Sequence, residues 1–254
     1  MKNELLQLGP VTIYGYGLMI ALGILSAYVL ACCRAGKKNV NMDHVFFLIL
    51  WCLAGGFAGS KILFWITEWK NIVANPVFLR YTLMDGFVVY GGILGGIAAG
   101  YGYCRWKKLN FLEYFDFLMP SVALAQGFGR IGCLLAGCCY GKETKSSLSI
   151  VFHSSDYAPN GIPLIPVQIY SSLLDFLNMA VLLWVSSRKK KAGQVAGLYL
   201  FLYSLGRFLL EFLRGDLERG NVGSLSTSQF ISLFTAAAGI LLIFRKNRMQ
   251  RHES

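Results

Sequence analysis

The sequence predicts an all-α polytopic membrane protein of about seven transmembrane helices, and three observations carry that prediction. Of 254 residues, 55% are hydrophobic and only 15% charged, and the mean hydropathy is +0.52, outside the range of ordinary soluble domains. Apolar runs recur at lengths near the ~20 residues that cross a ~30 Å hydrocarbon core. The basic residues fall in short clusters between those runs, which is a topology signal and not the basic face of a nucleic-acid binder.

Spans are expected at about 12–33, 44–66, 86–104, 117–138, 166–186, 195–213 and 225–244. The first is too long for the ~7–15-residue core of a cleavable signal peptide, so it is read as a span. Alternate connections carry unequal charge. Segments beginning at Arg34, Arg105 and Arg188, with the tail from Arg245, hold fourteen basic residues, whereas the opposite side holds seven, among them Lys70, Lys142, Arg214 and Arg219. The positive-inside rule therefore places the amino terminus outside and the carboxyl terminus in the cytoplasm.

The second span contains Gly55 and Gly59 and the third Gly91, Gly92, Gly95, Gly96 and Gly100. This four-residue spacing lets helix backbones approach closely, so these glycines are assigned to packing. Between spans two and three, residues 67–85 with Trp65, Trp69 and Tyr81 near the interface are one candidate for an external covering segment. Residues 139–165 are the longest connection, in which SLSIVFH reads as a short strand and APNGIP as a turn. That segment is expected to form a small external cap on a single membrane-embedded domain, 1–254.

Residues 126–141, QGFGRIGCLLAGCCYG, place Arg130 in an apolar, glycine-rich span. A charge at mid-bilayer costs at least ~2.5 kcal/mol and persists where it faces a partner, water or a substrate. On this topology Arg130 lies about 12 Å below the outer end of span four and Arg207 about 9 Å below that of span six, at 1.5 Å per residue. Arg207, Glu211 and Arg214 share a helix face, and Tyr14, Tyr16, Asp85 and Tyr90 begin the inward-running spans at similar depth. One account is structural: Arg207 pairs with Glu211 and Arg130 snorkels. The other is functional: two guanidinium groups facing a single Glu211 leave surplus positive charge suited to an anionic lipid headgroup.

Seven cysteines, all in or at the ends of apolar runs, make a poor secreted disulfide framework. Cys138 and Cys139 stand at the end of span four with Cys133 below them. They suit a redox pair or a metal site, but no histidine or second Cys-x-x-Cys completes a tetrahedral set, and small buried side chains at a tight helix end are the simpler reading. No cofactor and no metal are expected, and His44 and His153 read as solvated.

Taken in order, LGPVTIYGYGLMIALG, DGFVVYGGILGG, GRIGCLLAGCCYG, PVQIY, GRFLLEFLR and LSTSQFISL resemble the motifs of the bacterial prolipoprotein diacylglyceryl transferases across nearly the whole chain. The resemblance implies a multi-pass enzyme of the bacterial cell (inner) membrane. Its reaction moves a diacylglyceryl group from phosphatidylglycerol to the lipobox cysteine of a prolipoprotein signal peptide, releasing glycerol phosphate. Family roles carry over to Tyr16, Arg130, Gly141, Arg207, Glu211 and Arg214. Arg130, Arg207, Tyr16 and Tyr90 are the catalytic candidates, and Arg130, Gly141, Glu211 and Arg214 the substrate-binding ones. The chain departs from the family's usual histidine at Tyr90, asparagine at Cys133 and Ala136, glutamate at Cys138 and histidine at Ile165, which marks a divergent member. Two other functions fit parts of the sequence: a thiol-disulfide oxidoreductase built on Cys133, Cys138 and Cys139, and a lipid or anion carrier without covalent chemistry.

Overall fold

The computed structural model describes residues 4–8, 11–38, 40–74, 82, 86–188, 191–216, 221–223 and 225–245. The described elements are mainly helical: α1 (Gly15–Lys38), α2 (Met42–Thr67), α3 (Trp69–Ala74), α4 (Val89–Trp106), α5 (Phe111–Ala136), α6 (Val167–Arg188), α7 (Gln194–Glu211) and α8 (Thr227–Phe244). Three short antiparallel pairs join β1 (Glu4–Leu8) to β2 (Val11–Tyr14), β3 (Ile150–Val151) to β4 (Pro163–Leu164), and β5 (Asn221–Val222) to β6 (Leu225–Ser226). Five helices, α1, α2, α5, α6 and α8, are long and apolar enough to cross a membrane. Their apolar side chains, such as Leu25, Phe57, Leu177 and Leu241, are exposed. That is the inverse of a soluble protein's surface and suits a hydrocarbon solvent.

Two boundaries differ from expectation. Val11, Thr12, Ile13 and Tyr14 form strand β2, in register Leu8 to Val11 and Leu6 to Ile13, so the first helix begins at Gly15 and Tyr14 precedes it. Three of these four residues are β-branched and the fourth aromatic, which favours a strand over a first helical turn. Helix α5 begins at Phe111 and stops at Ala136, so Cys138 and Cys139 lie beyond it; Gly137 follows at φ 76°, ending the helix as left-handed glycines do. Asp85 and Tyr81 fall outside the described residues.

The chain divides into two compact units, residues 34–114 and residues 1–33 with 115–254. In the first, α2 and α4 pack on the glycine seam read from the sequence: a Cβ at Gly55 would meet the Gly95 carbonyl at 2.7 Å, and one at Gly59 would meet Gly95 Cα at 2.9 Å. Lys61, buried on α2, donates to the Thr82 and Gly86 carbonyls and lies 4.6 Å over the Phe87 ring, so its charge is engaged by backbone dipoles and an aromatic face. His44 is not simply solvated: its Nδ1 is 3.2 Å from the Tyr103 hydroxyl.

In the second unit, α7 and α8 meet backbone to backbone at a single glycine on each, since a Cβ on Gly197 would come within 2.6 Å of the Gly239 carbonyl. The start of α7 is held from 77 residues away. Asp116 on α5, fully buried, accepts hydrogen bonds from Gly193 N at 2.9 Å and Ala196 N at 2.8 Å, supplying the N-cap that Gly193 lacks. Asp116→Ala is expected to destabilise the folded protein by about 2 kcal/mol or more, because two buried donors lose a charged acceptor. A thermal unfolding midpoint in detergent equal to that of the parent protein would contradict this.

Candidate active site

Helices α5, α6 and α7 bring polar side chains around one pocket. Arg130 enters from α5, Ser171, Asp175 and Asn178 from α6, and Tyr203, Gly206 and Arg207 from α7; Leu174, Leu202 and Leu210 complete the wall. The positions on α6 and on α7 are three or four residues apart, so each set shares one helix face. Arg130 and Arg207, assigned to separate spans by sequence, thus line the same cavity. Ser172 on α6 donates to the Gly127 carbonyl of α5 at 3.0 Å, fixing the two walls against each other.

The cations differ in how they are held. Arg207 Nη2 lies 2.8 Å from Glu211 Oε2 and donates to Ser228 Oγ at 2.9 Å, which anchors it to both α7 and α8. Arg214 lies 3.9 Å from the same Glu211 oxygen but is taken mainly by Asp216, with Nε at 2.8 Å from Oδ1 and Nη2 at 2.5 Å from Oδ2. Burial works against the charge of Arg214, yet the Asp216 hydrogen bonds and the Cys139 sulfur more than offset it and hold its pKa above the ordinary value. Among the described residues Arg130 makes no hydrogen bond or ion pair. The sequence suggested one carboxylate for two arginines; the fold adds Asp216, which takes Arg214, and Asp175, which lines the pocket with Arg130 and Arg207.

Asp175 and Asn178 were missed by sequence reasoning. Both sit in the apolar run QIYSSLLDFLNMAVLLW, and the rule that singled out Arg130 applies equally to an aspartate there. Both side-chain amide atoms of Asn178 are buried without a partner among the described residues, as befits a group facing the pocket. Tyr199, stacked on Tyr203 with ring centroids 5.9 Å apart, fixes that ring by donating its own hydroxyl to Gln126 at 2.8 Å.

Tyr16, at the second residue of α1, lies against Gly132 of α5, where a Cβ would meet its ring at 3.2 Å. Tyr90 is the second residue of α4, in the other unit, and is 40% exposed. Gly141 forms a bridge with Arg214, and the next residue continues it, Lys142 N donating to the Leu213 carbonyl at 2.9 Å. A Cβ at Gly141 would press on Ile165 Cβ and Val167 Cγ2 at 2.8 Å. Close backbone packing therefore requires glycine there.

Beyond α5, the connecting segment is ordered. Phe152, Ala158 and Leu164 form its small core, β3 and β4 pair across it, and Ser155 and Asn160 exchange hydrogen bonds of 2.9 and 3.0 Å. Gln168 at the start of α6 donates to the Cys138 carbonyl at 2.9 Å, tying the cysteine turn to that helix. Cys139 adopts φ 58°, uncommon for a side chain with a Cβ. The sulfurs of Cys133, Cys138 and Cys139 all lie within 4.8 Å of one another. None of the three is in a disulfide.

The family model described as prolipoprotein diacylglyceryl transferase matches residues 3–245. A Clostridium tetani protein named phosphatidylglycerol–prolipoprotein diacylglyceryl transferase is 51% identical over 251 residues, 99% of this chain and 100% of that protein. A Clostridium perfringens protein of that name, numbered 2, is 48% identical over 95% of this chain and 94% of its own length. One from Staphylococcus carnosus is 31% identical over 96% and 90%. A match of this extent, running through every helix that builds the pocket, shows that the chain belongs to the prolipoprotein diacylglyceryl transferase family.

Proposed function

We propose that this protein transfers the diacylglyceryl group of phosphatidylglycerol to the thiol of a prolipoprotein's lipobox cysteine and releases glycerol phosphate. The family supports the reaction, and the observation that supports its placement is Arg130 sharing a pocket with Arg207 while making no hydrogen bond or ion pair among the described residues. The thiolate attacks the glycerol carbon bonded to the phosphate ester, the carbon–oxygen bond breaks, and the electron pair leaves on phosphate. Arg130 and Arg207 stabilise that growing charge by paired N–H donors, with Glu211 and Ser228 orienting Arg207. Arg214 and Gly141, joined by their backbone bridge, are the further substrate-binding candidates. Tyr16 packs on α5 at Gly132, and its role in proton transfer, like the role of Tyr90, rests on motif resemblance. The relatives' names lend support to the transferase over an oxidoreductase or a carrier.

In the same reading, α4 and α7, each 18 residues and about 27 Å of helix, cross the membrane with the other five. The whole chain is then one seven-span domain of the bacterial inner membrane, amino terminus outside, with residues 139–165 as an external cap. The fourteen-to-seven basic bias sets this orientation. With native cysteines replaced, Ser147→Cys is expected to react with an impermeant maleimide in intact spheroplasts and Lys191→Cys only after lysis; the reverse pattern overturns the orientation.

The reaction is tested with purified protein, phosphatidylglycerol and a lipobox peptide. The peptide is expected to gain one diacylglyceryl mass per glycerol phosphate released, and a peptide with serine in place of its cysteine neither gains mass nor releases product. Glycerol phosphate release without peptide modification would sink the proposal.

A further inference from the structure

Cys133, Cys138 and Cys139 converge within 4.8 Å of one another at the end of the helix that carries Arg130. Cys133 is one helical turn from Arg130, and Cys139 stands two residues before Gly141, whose backbone bridges Arg214, itself 3.9 Å from the Glu211 that orients Arg207. Around tetrahedral zinc, with Zn–S bonds of about 2.3 Å, three sulfurs stand about 3.8 Å apart, so these need close by only about 1 Å or less. Among the described residues no histidine or carboxylate joins them. Three protein ligands and one open position is the arrangement of a catalytic zinc, whereas a structural zinc is closed by four.

We propose that the three thiolates bind one Zn²⁺ whose fourth position takes the acceptor's lipobox cysteine as thiolate. This rests on the transferase reading and supplies what that reading lacks. An ordinary thiol, at pKa ~8.5, is only slightly ionised near neutrality, and the tyrosines offer a weak base at pKa ~10. Coordination to a metal ion deprotonates the thiol outright. The acceptor's proton passes to solvent on binding, and zinc with four thiolates carries two negative charges, which keep the bound sulfur nucleophilic. Arg214 and Arg130 offset the charge of the site. Attack forms the carbon–sulfur bond and breaks the carbon–oxygen bond, the electron pair departing with glycerol phosphate; zinc stays divalent throughout. The product thioether binds zinc poorly and leaves, reopening the position.

The test uses full-length protein in nanodiscs, reduced and freed of metal, and titrated with Co²⁺ as a coloured substitute for Zn²⁺. One equivalent is expected to produce a thiolate-to-cobalt charge-transfer band. That band is displaced by Zn²⁺, is lost in Cys133→Ser and Cys138→Ser and is retained in Cys33→Ser. A lipobox peptide should intensify it, and a serine-substituted peptide should not. Removing metal should lower peptide modification at least tenfold, with recovery on adding Zn²⁺. Absence of the band in parent protein whose three thiols titrate as reduced overturns the site, as does a band unchanged in both serine variants. A band indifferent to the cysteine peptide, or full turnover without metal, overturns the catalytic role while leaving the transferase reading intact. If the zinc-loaded protein binds the peptide's thiol but never modifies it, the transferase reading fails and with it the proposed step.

Discussion

Arg130→Leu is expected to slow glycerol phosphate release by ~10²–10³, about 2.7–4 kcal/mol, the usual effect of removing one preorganised donor from a developing oxyanion. Its fold cost should be small. Arg130 makes no ion pair or hydrogen bond among the described residues, so truncation breaks no direct contact of that kind, and it removes a charge whose presence in a span is itself unfavourable. Folded yield in detergent should therefore match or exceed that of the parent. Arg130→Lys keeps the charge but loses the planar two-donor fork and should recover only part of the rate. A structural arginine would behave in the opposite way: leucine would lower yield, and turnover per folded molecule would stay near the parent value. Glycerol phosphate release normalised to folded protein separates the two.

Arg207 is held by Glu211 and Ser228, and its removal should be felt by fold and chemistry alike. Arg207→Leu leaves Glu211, only 10% exposed, without its closest cation, and breaking such a buried pair costs roughly 3–5 kcal/mol. Replacing both residues, Arg207→Leu with Glu211→Leu, should restore much of the folded yield, since an apolar pair of similar volume is often neutral or stabilising. Turnover should stay at least ~10²-fold down in the double variant, because the donor to the leaving phosphate is still missing. Size-exclusion yield and product release measured on the same preparations decide it. If turnover returns with yield, Arg207 is scaffolding and the clamp belongs to Arg130 alone.

Much of this was legible in the chain. Length, hydropathy and glycine spacing were enough to place the long helices and the α2–α4 seam, because a membrane span is a local, one-dimensional requirement: about twenty apolar residues, with small ones where a neighbour must come close. Arg130 and Arg207 stood out because a charge in an apolar run is visible without knowing its partners. Asp175 carried the same signal at equal strength and was overlooked beside it. The β1–β2 hairpin was misread as the start of a span because Val11–Tyr14 is as apolar as a helix would be, and only its β-branched composition hinted otherwise.

What the sequence by itself determined, then, is the membrane class, the helical pattern, the ordered family motifs and the two suspect arginines, all properties of contiguous segments. The tertiary structure decided the rest. That Arg207 has Glu211 and Ser228 while Arg130 makes no hydrogen bond or ion pair among the described residues, that Asp216 takes Arg214, that Asp116 caps a helix 77 residues on, and that three cysteines meet within 4.8 Å depend on separate segments coming together. Spacing along a chain constrains which residues share one helix face. It does not say which two faces will meet, because that choice is made by close packing of whole helices against one another.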